Sequence, residues 1–182
     1  MKSKATIVFG LVGALAGVGL AFWLNREQLQ APIQPPPIPQ QNNGKLQNFK
    51  PSLYGLNSQA NSLQTVTLSI AAESPEAALR ISLERLLAGL PELSSEIPAK
   101  TKLLDLKLKD RELTLDLSQE FTSGGGSASM TRRLAQVLYT ATSLDPEARL
   151  YLLVEGKPLK NLGGEGLEVL QPVTRKDVSN QF

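Results

Sequence analysis

The chain has 182 residues, with 19 Lys and Arg against 17 Asp and Glu, and it contains neither cysteine nor histidine. Disulfides, thiolate metal sites and cysteine nucleophiles are therefore excluded, and the commonest general base and metal ligand is missing. Three bases (Lys2, Lys4, Arg26) and one acid (Glu27) precede Ala31, leaving sixteen of each sign after it. This balance gives no electrostatic footing for nucleic acid.

Residues 1–4 carry Lys2 and Lys4, and residues 5–24 form an uncharged apolar run from Ala5 to Leu24. At about 1.5 Å per residue, a helix of that length matches the roughly 30 Å core of a bilayer. The basic excess before it predicts a cytoplasmic N-terminus and a single-pass anchor in the plasma membrane. Everything after the anchor then faces the periplasm, and a thylakoid membrane and lumen satisfy the same rule. The run ends in Phe22-Trp23-Leu24-Asn25, bulky where a signal peptidase needs small residues, which predicts an uncleaved signal anchor. Gly13-x-x-x-Gly17 has the spacing that lets membrane helices approach closely.

Residues 25–47 read as a linker. Its proline half, Ala31 to Pro39, favours extended polyproline II, and Gln40 to Gly44 favours a flexible coil. A folded domain is predicted over 48–176, followed by a tail at 177–182. Within the domain, Ser52 to Leu56 is a strand candidate, and Thr65 to Ala71 alternates Val66, Leu68 and Ile70 against hydroxyl side chains. Ser74-Pro75-Glu76 reads as an N-cap, a proline at the first helical position and an acid in the first turn. The helix behind it carries Leu79, Leu83, Leu86 and Leu87 on one stripe and stops at Gly89 and Pro91.

A hairpin follows: Leu104, Leu106 and Leu108 point inward against Asp105, Lys107 and Lys109. After the Lys109-Asp110-Arg111-Glu112 turn, Leu113, Leu115 and Leu117 repeat the pattern. A glycine-serine loop, Ser123 to Ser127, leads into a second helix burying Met130, Leu134, Val137, Leu138, Ala141 and Leu144 and ending at Asp145-Pro146. Leu150, Leu152 and Val154 mark another strand, Gly163 to Gly166 a turn, and Leu167 to Val173 a last strand. The expected fold is an α+β two-layer sandwich, two helices on one face of a mostly antiparallel or mixed sheet, preceded by one transmembrane helix.

Several short signatures occur in order. Leu86-Leu87-Ala88-Gly89 ends the first helix, and Ile97-Pro98-x-x-Thr101-Lys102-Leu103-Leu104 enters the hairpin. Leu115-Asp116-Leu117-Ser118-x-x-Phe121 leaves it. Leu134-Ala135-Gln136-Val137-Leu138-Tyr139-Thr140, Val154-Glu155-Gly156-Lys157-Pro158 and Pro172-Val173-Thr174-Arg175 complete the series. From about Leu53 to Arg175 the chain resembles the GerMN domain family of spore-germination GerM-like proteins, and more closely its cyanobacterial envelope versions. It departs from the family's usual Gly-Pro by placing Leu90 between Gly89 and Pro91. The resemblance implies a fold similar to ring-building motifs, a role in assembly or binding in the bacterial envelope, and no enzymatic activity.

The residues offer two functional classes. In the first, a scaffold or interaction module docks envelope proteins or a second copy of itself. Tyr151 and Leu153, opposite in phase to Leu150, Leu152 and Val154, would form its apolar patch. In the second, the module binds cell-wall glycan, muropeptide or a small envelope solute. Asp116, Ser118, Gly124, Gly125, Gly126 and Arg175 would line its site, with Arg175 available to pair with Asp116. Asp116 and Ser118 read more simply as a polar rim and a turn cap. The glycine loop lacks the Gly-Lys-Ser/Thr ending of a phosphate-binding P-loop. No cofactor or metal is expected, and serine chemistry lacks its base.

Overall fold

The computed structural model describes residues 45–57, 62–163 and 167–179. The expected anchor at 5–24, the linker up to residue 44, Gly164 to Gly166 and the end of the tail lie outside these residues. Among the described residues, no helix is long and apolar enough to cross a membrane.

The first four strands are β1 (Gln47–Phe49), β2 (Ser52–Leu56), β3 (Leu63–Thr67) and β4 (Ile70–Ala72). β1 pairs with β4 and β2 with β3, all antiparallel. Gln47 opposes Ala72 and Leu56 opposes Leu63 in one unbroken register. The two pairs are thus one long hairpin interrupted once. The single strand expected over Thr65 to Ala71 is split at Leu68-Ser69, and the cause lies on the opposite strand. Pro51 has no N–H to donate, so the ladder keeps only the bond from Leu68 N to Pro51 O, 2.9 Å. The alternation itself holds: Ile70 is buried, Val66 and Leu68 are half-buried, and Thr65, Thr67 and Ser69 are exposed.

Helix α1 (Pro75–Ala88) starts as its sequence requires, with Ser74 Oγ accepting from Ala77 N at 3.1 Å, and it is closed by Gly89 at φ 93°. It buries Leu79, Leu83 and Leu86 against a mixed sheet in the order β5 (Leu103–Lys109), β6 (Glu112–Leu117), β7 (Arg149–Val154), β8 (Lys157–Pro158). β5 and β6 form the expected hairpin, turning at Asp110 with φ 55°. One expectation fails there. Leu104 is 44 % exposed, because the register shifts between Leu103 and Asp105 and Leu104 becomes the extra residue of a bulge.

β6 and β7 run parallel, which requires a crossover, and helix α2 (Ser127–Ala141) supplies it. α2 ends at Ala141, short of Asp145, and half-buried Leu144 packs from beyond it. The long last strand expected from Leu167 to Val173 is reduced to β10 (Leu167–Glu168), paired with β9 (Asn161–Leu162), and a single bridge from Val173 to Leu150. A one-turn helix, α3 (Arg175–Val178), closes the described chain. Leu106, Leu113, Leu115, Leu117, Leu150 and Leu152 are sealed between the sheet and the helices. Burying each such leucine contributes about 1.5–3 kcal/mol.

Candidate functional site

Helix α2 carries an unexpected row of polar side chains on a buried face: Ser129, Arg133, Gln136 and Thr140, at helical spacing. Arg133 is 2 % exposed. It donates to Glu96 O (2.9 Å), Phe121 O (2.6 Å), Ser123 O (3.1 Å) and Gly124 O (3.0 Å). Burial pulls its pKa below the ordinary arginine range, opposed by the charge of Glu96. Ser129 Oγ donates to Glu96 Oε2 at 2.7 Å, and Gln136 Oε1 accepts from Glu96 N at 2.8 Å. Gln136 Nε2 reaches Tyr54 O at 3.3 Å, and Thr140 Oγ1 accepts from Tyr54 N at 3.0 Å. This row ties the 94–98 loop, the glycine loop and β2 to one helix. Composition alone does not single it out; its signal is polar residues recurring at core-facing positions.

The glycine loop is the lid of that arrangement. Its carbonyls at Ser123 and Gly124 turn inward to Arg133, which leaves no inward cradle for an anion. Gly124 and Gly125 adopt φ 62° and 87°, and a Cβ on Gly125 would lie 2.7 Å from Ser129 Oγ. Gly126 stands at the N-cap of α2 without a side-chain cap.

The other residues singled out for a ligand site are dispersed. Asp116 accepts Gly156 N at 3.1 and 3.0 Å, which caps the β7–β8 turn, where Glu155 and Gly156 have positive φ. Ser118 is buried, and its Oγ accepts Lys102 N at 2.9 Å. Arg175 does not turn to Asp116 or, among the described residues, to any carboxylate. Its guanidinium donates to Thr142 Oγ1 (2.8 Å), Tyr139 O (3.0 Å) and Thr142 O (3.0 Å), and it stacks 4.8 Å from the Tyr139 ring centroid. A cation at the C-terminus of α2 satisfies the last helical carbonyls and opposes the helix dipole. Each of these side chains is thus committed to backbone groups of the fold.

Tyr151 and Leu153 do lie together on one face of β7, opposite Thr114 and Asp116 of β6. Both are half-buried, and neither joins the core. Two ion pairs flank them, Lys107 with Asp105 at 2.9 Å and Arg149 with Glu112 at 2.7 Å, while Asp116 opposite Leu153 is held by Gly156 N. Pairing with Lys107 is the main reason the Asp105 carboxyl sits below its ordinary range.

The Germane family, described as sporulation and spore germination, matches residues 52–160. The chain belongs to that family. Three solved structures share the fold. The first is a Clostridium perfringens protein named "Putative Lipoprotein" (TM-score 0.54, 20 % identity, 74 % of this chain and 91 % of that one). The tandem GerMN domains of the Bacillus subtilis sporulation protein GerM match with TM-score 0.54 and 22 % identity, over 72 % of this chain and 48 % of theirs. The first of those domains alone matches with TM-score 0.55 and 20 % identity, over 71 % of this chain and 99 % of its own. A comparison with curated proteins gives no match.

Side chains close the β5 edge of the main sheet of this Germane domain and part of the stretch of β7 that β8 leaves unpaired. Along β5, Arg80 donates to Leu106 O at 2.9 Å and Glu76 accepts Leu108 N at 2.8 Å, both from α1. Along β7, Gln171 imitates a strand: Oε1 accepts Leu152 N at 2.8 Å, and Nε2 donates to Leu152 O (2.6 Å) and Leu159 O (2.9 Å). Two hollows remain. One of about 330 Å³ is lined by Phe49, Leu79, Leu108 and Leu144 and rimmed by Asp110 and Asp145. Another of about 390 Å³ is polar, with Gln119, Thr122, Lys157, Lys160 and Asn161 around it. Neither lysine has an ion-pair partner among the described residues.

Proposed function

We propose that this chain is a membrane-anchored, extracytoplasmic, non-enzymatic interaction module of a bacterial envelope, of the type found in cyanobacteria. The apolar run at 5–24 would anchor it, the proline-rich linker would hold it off the bilayer, and the Germane domain would dock envelope proteins. The name of the Clostridium perfringens protein, with its similar fold, is in keeping with a domain displayed from a membrane. The observation carrying this reading is the face of β7 bearing Tyr151 and Leu153, which the core leaves aside and which two ion pairs flank. Glu76 and Arg80 occupy the β5 edge of the same sheet and Gln171 the side of β7 beyond β8, so docking on β7 goes through the face. In-cell crosslinking tests it. Tyr151→Lys with Leu153→Glu should remove the captured envelope partner while the circular dichroism spectrum stays native. Undiminished capture by the folded variant refutes the assignment.

The second reading, recognition of anionic wall material, is favoured by Lys157 and Lys160 beside the polar hollow, neither ion-paired among the described residues. Asp116, Ser118 and Arg175 are no longer its natural centre, given their internal hydrogen bonds. Titration with carboxylate-bearing muropeptides should then shift the resonances of both lysines, and a flat titration removes this reading.

A further inference from the structure

The β3 edge is left open, unlike the covered stretches of β2, β5 and β7. The bonds from Leu68 N to Pro51 O and from Asn57 N to Ser62 O fix the phase of the β2–β3 ladder. In that phase the N–H and C=O groups of Leu63, Thr65 and Thr67 point away from β2. The same phase turns Ser52, Tyr54 and Leu56 of β2 outward on the opposite edge, and there the groups of Tyr54 and Leu56 are met. Gln136 and Thr140 take Tyr54, and Ser94 pairs with Leu56. On the β3 edge, no backbone group of Leu63, Thr65 or Thr67 has a hydrogen-bond partner among the described residues.

A bare edge is a pairing template, and natural domains blunt it with charge, proline, a bulge or a cover. This domain uses covers on β2, β5 and β7, while Leu63-Gln64-Thr65-Val66-Thr67 has no charge, no proline and no bulge. We propose that β3 is a homodimerisation edge, pairing antiparallel with β3 of a second copy across a twofold axis at Thr65. Self-pairing sets Thr65 against Thr65 and Leu63 against Thr67, with no like charges opposed, and threonine pairs are favourable across strands. Two copies held on one membrane surface would meet at raised effective concentration. The inference gives the interaction reading a specific partner and rests on it, yet it uses a different surface from Tyr151 and Leu153.

The test uses the full chain in detergent. The sequence has no cysteine, so Thr65→Cys introduces a single reporter. Mild oxidation should link copies through position 65, whereas Glu84→Cys, exposed on α1, should stay unlinked. Thr65→Pro removes only an outward N–H and should weaken sedimentation-measured dimerisation by at least about tenfold with a native circular dichroism spectrum. If the proline variant unfolds, Thr65→Lys, which sets like charges opposite each other, serves the same purpose. Equal linkage at positions 65 and 84, or undiminished dimerisation of a folded edge variant, overturns the inference. Concentration-independent protection of the Thr65 amide overturns it too, since another occupant then holds the edge. A strictly monomeric chain overturns it as well but leaves partner capture through Tyr151 and Leu153 standing. Loss of that capture in a variant that still dimerises separates the two surfaces.

Discussion

Replacing Arg133 with methionine tests the central structural claim, that one buried guanidinium organises two loops. It would remove four hydrogen bonds to carbonyls of Glu96, Phe121, Ser123 and Gly124. Ser123 and Gly124 are exposed, so water can replace the lost donor there; Phe121 is fully buried and Glu96 half-buried. Leaving two poorly hydrated carbonyls without a charged donor costs about 1–2 kcal/mol each. Methionine refills part of the volume and ends the desolvation of the charge, which brings the net loss to about 2–3 kcal/mol. For a domain of this size that is roughly a 6–9 °C fall in Tm. Urea unfolding followed by circular dichroism measures the loss, and amide exchange should quicken in the glycine loop before it does in the sheet. Arg133→Lys should fall in between, because an ammonium lacks the planar fork that reaches both loops. A methionine variant as stable as wild type would refute the reasoning. The buried charge would then be an electrostatic burden offset by its bonds, as replaced ion pairs elsewhere have proved.

Gly125→Ala should lose about 1–2 kcal/mol in the same unfolding assay, from positive φ and contact with Ser129, while Gly126→Ala changes little. Equal effects would mean the loop has another conformation. Gln171→Glu should destabilise by about 2–3 kcal/mol, since it sets a carboxylate against Leu152 O and Leu159 O where an amide donated; thermal denaturation checks it. Asp145 is held below its ordinary range chiefly by the two hydrogen bonds from Arg111, at 2.8 and 2.9 Å. Its folded pKa lies below the unfolded one, so its contribution is complete above the unfolded value and is lost as pH falls through the folded value. Asp145→Asn should therefore flatten the stability curve below about pH 4, by less than about 1 kcal/mol because the pair is exposed.

The parts of the fold legible in the sequence are those set by neighbours in the chain. Ser74-Pro75-Glu76 announced α1 because a cap, a fixed φ and a first-turn acid act within four residues. The β5–β6 hairpin was legible because period-two leucines flank a short polar turn. The misreadings have non-local causes. Leu103 and Leu104 are both leucine, so nothing in the pattern says which of them the bulge expels. The break between β3 and β4 is dictated by Pro51 on the facing strand. The expected strand through Val173 is shortened where the side chain of Gln171, not its backbone, completes the ladder. Among the candidate sites, Asp116, Ser118 and Arg175 were polar residues of the right chemistry, but the backbone groups that engage them come from 16 to 40 residues away.

The same distinction separates structural from functional polarity in this domain. A polar side chain inside an apolar stripe, such as Gln136 or Thr140, has almost no freedom to serve a ligand, because burial forces it to satisfy a nearby backbone group. In a small domain without disulfides, these residues do what extra strands would do in a larger sheet: they terminate ladders. Glu76 and Arg80 terminate β5, Gln136 and Thr140 terminate β2, and Gln171 terminates β7. Removing any one of them uncovers backbone donors and acceptors rather than a binding pocket, so the expected defect is misassociation as well as lost stability. Gln136→Leu is the sharpest case: it keeps the volume, strips Tyr54 O and Glu96 N of their partners, and should raise the concentration dependence of light scattering before it lowers helix content. If the leucine variant stays as soluble as wild type at equal stability, ladder termination is not what the polar row of α2 provides.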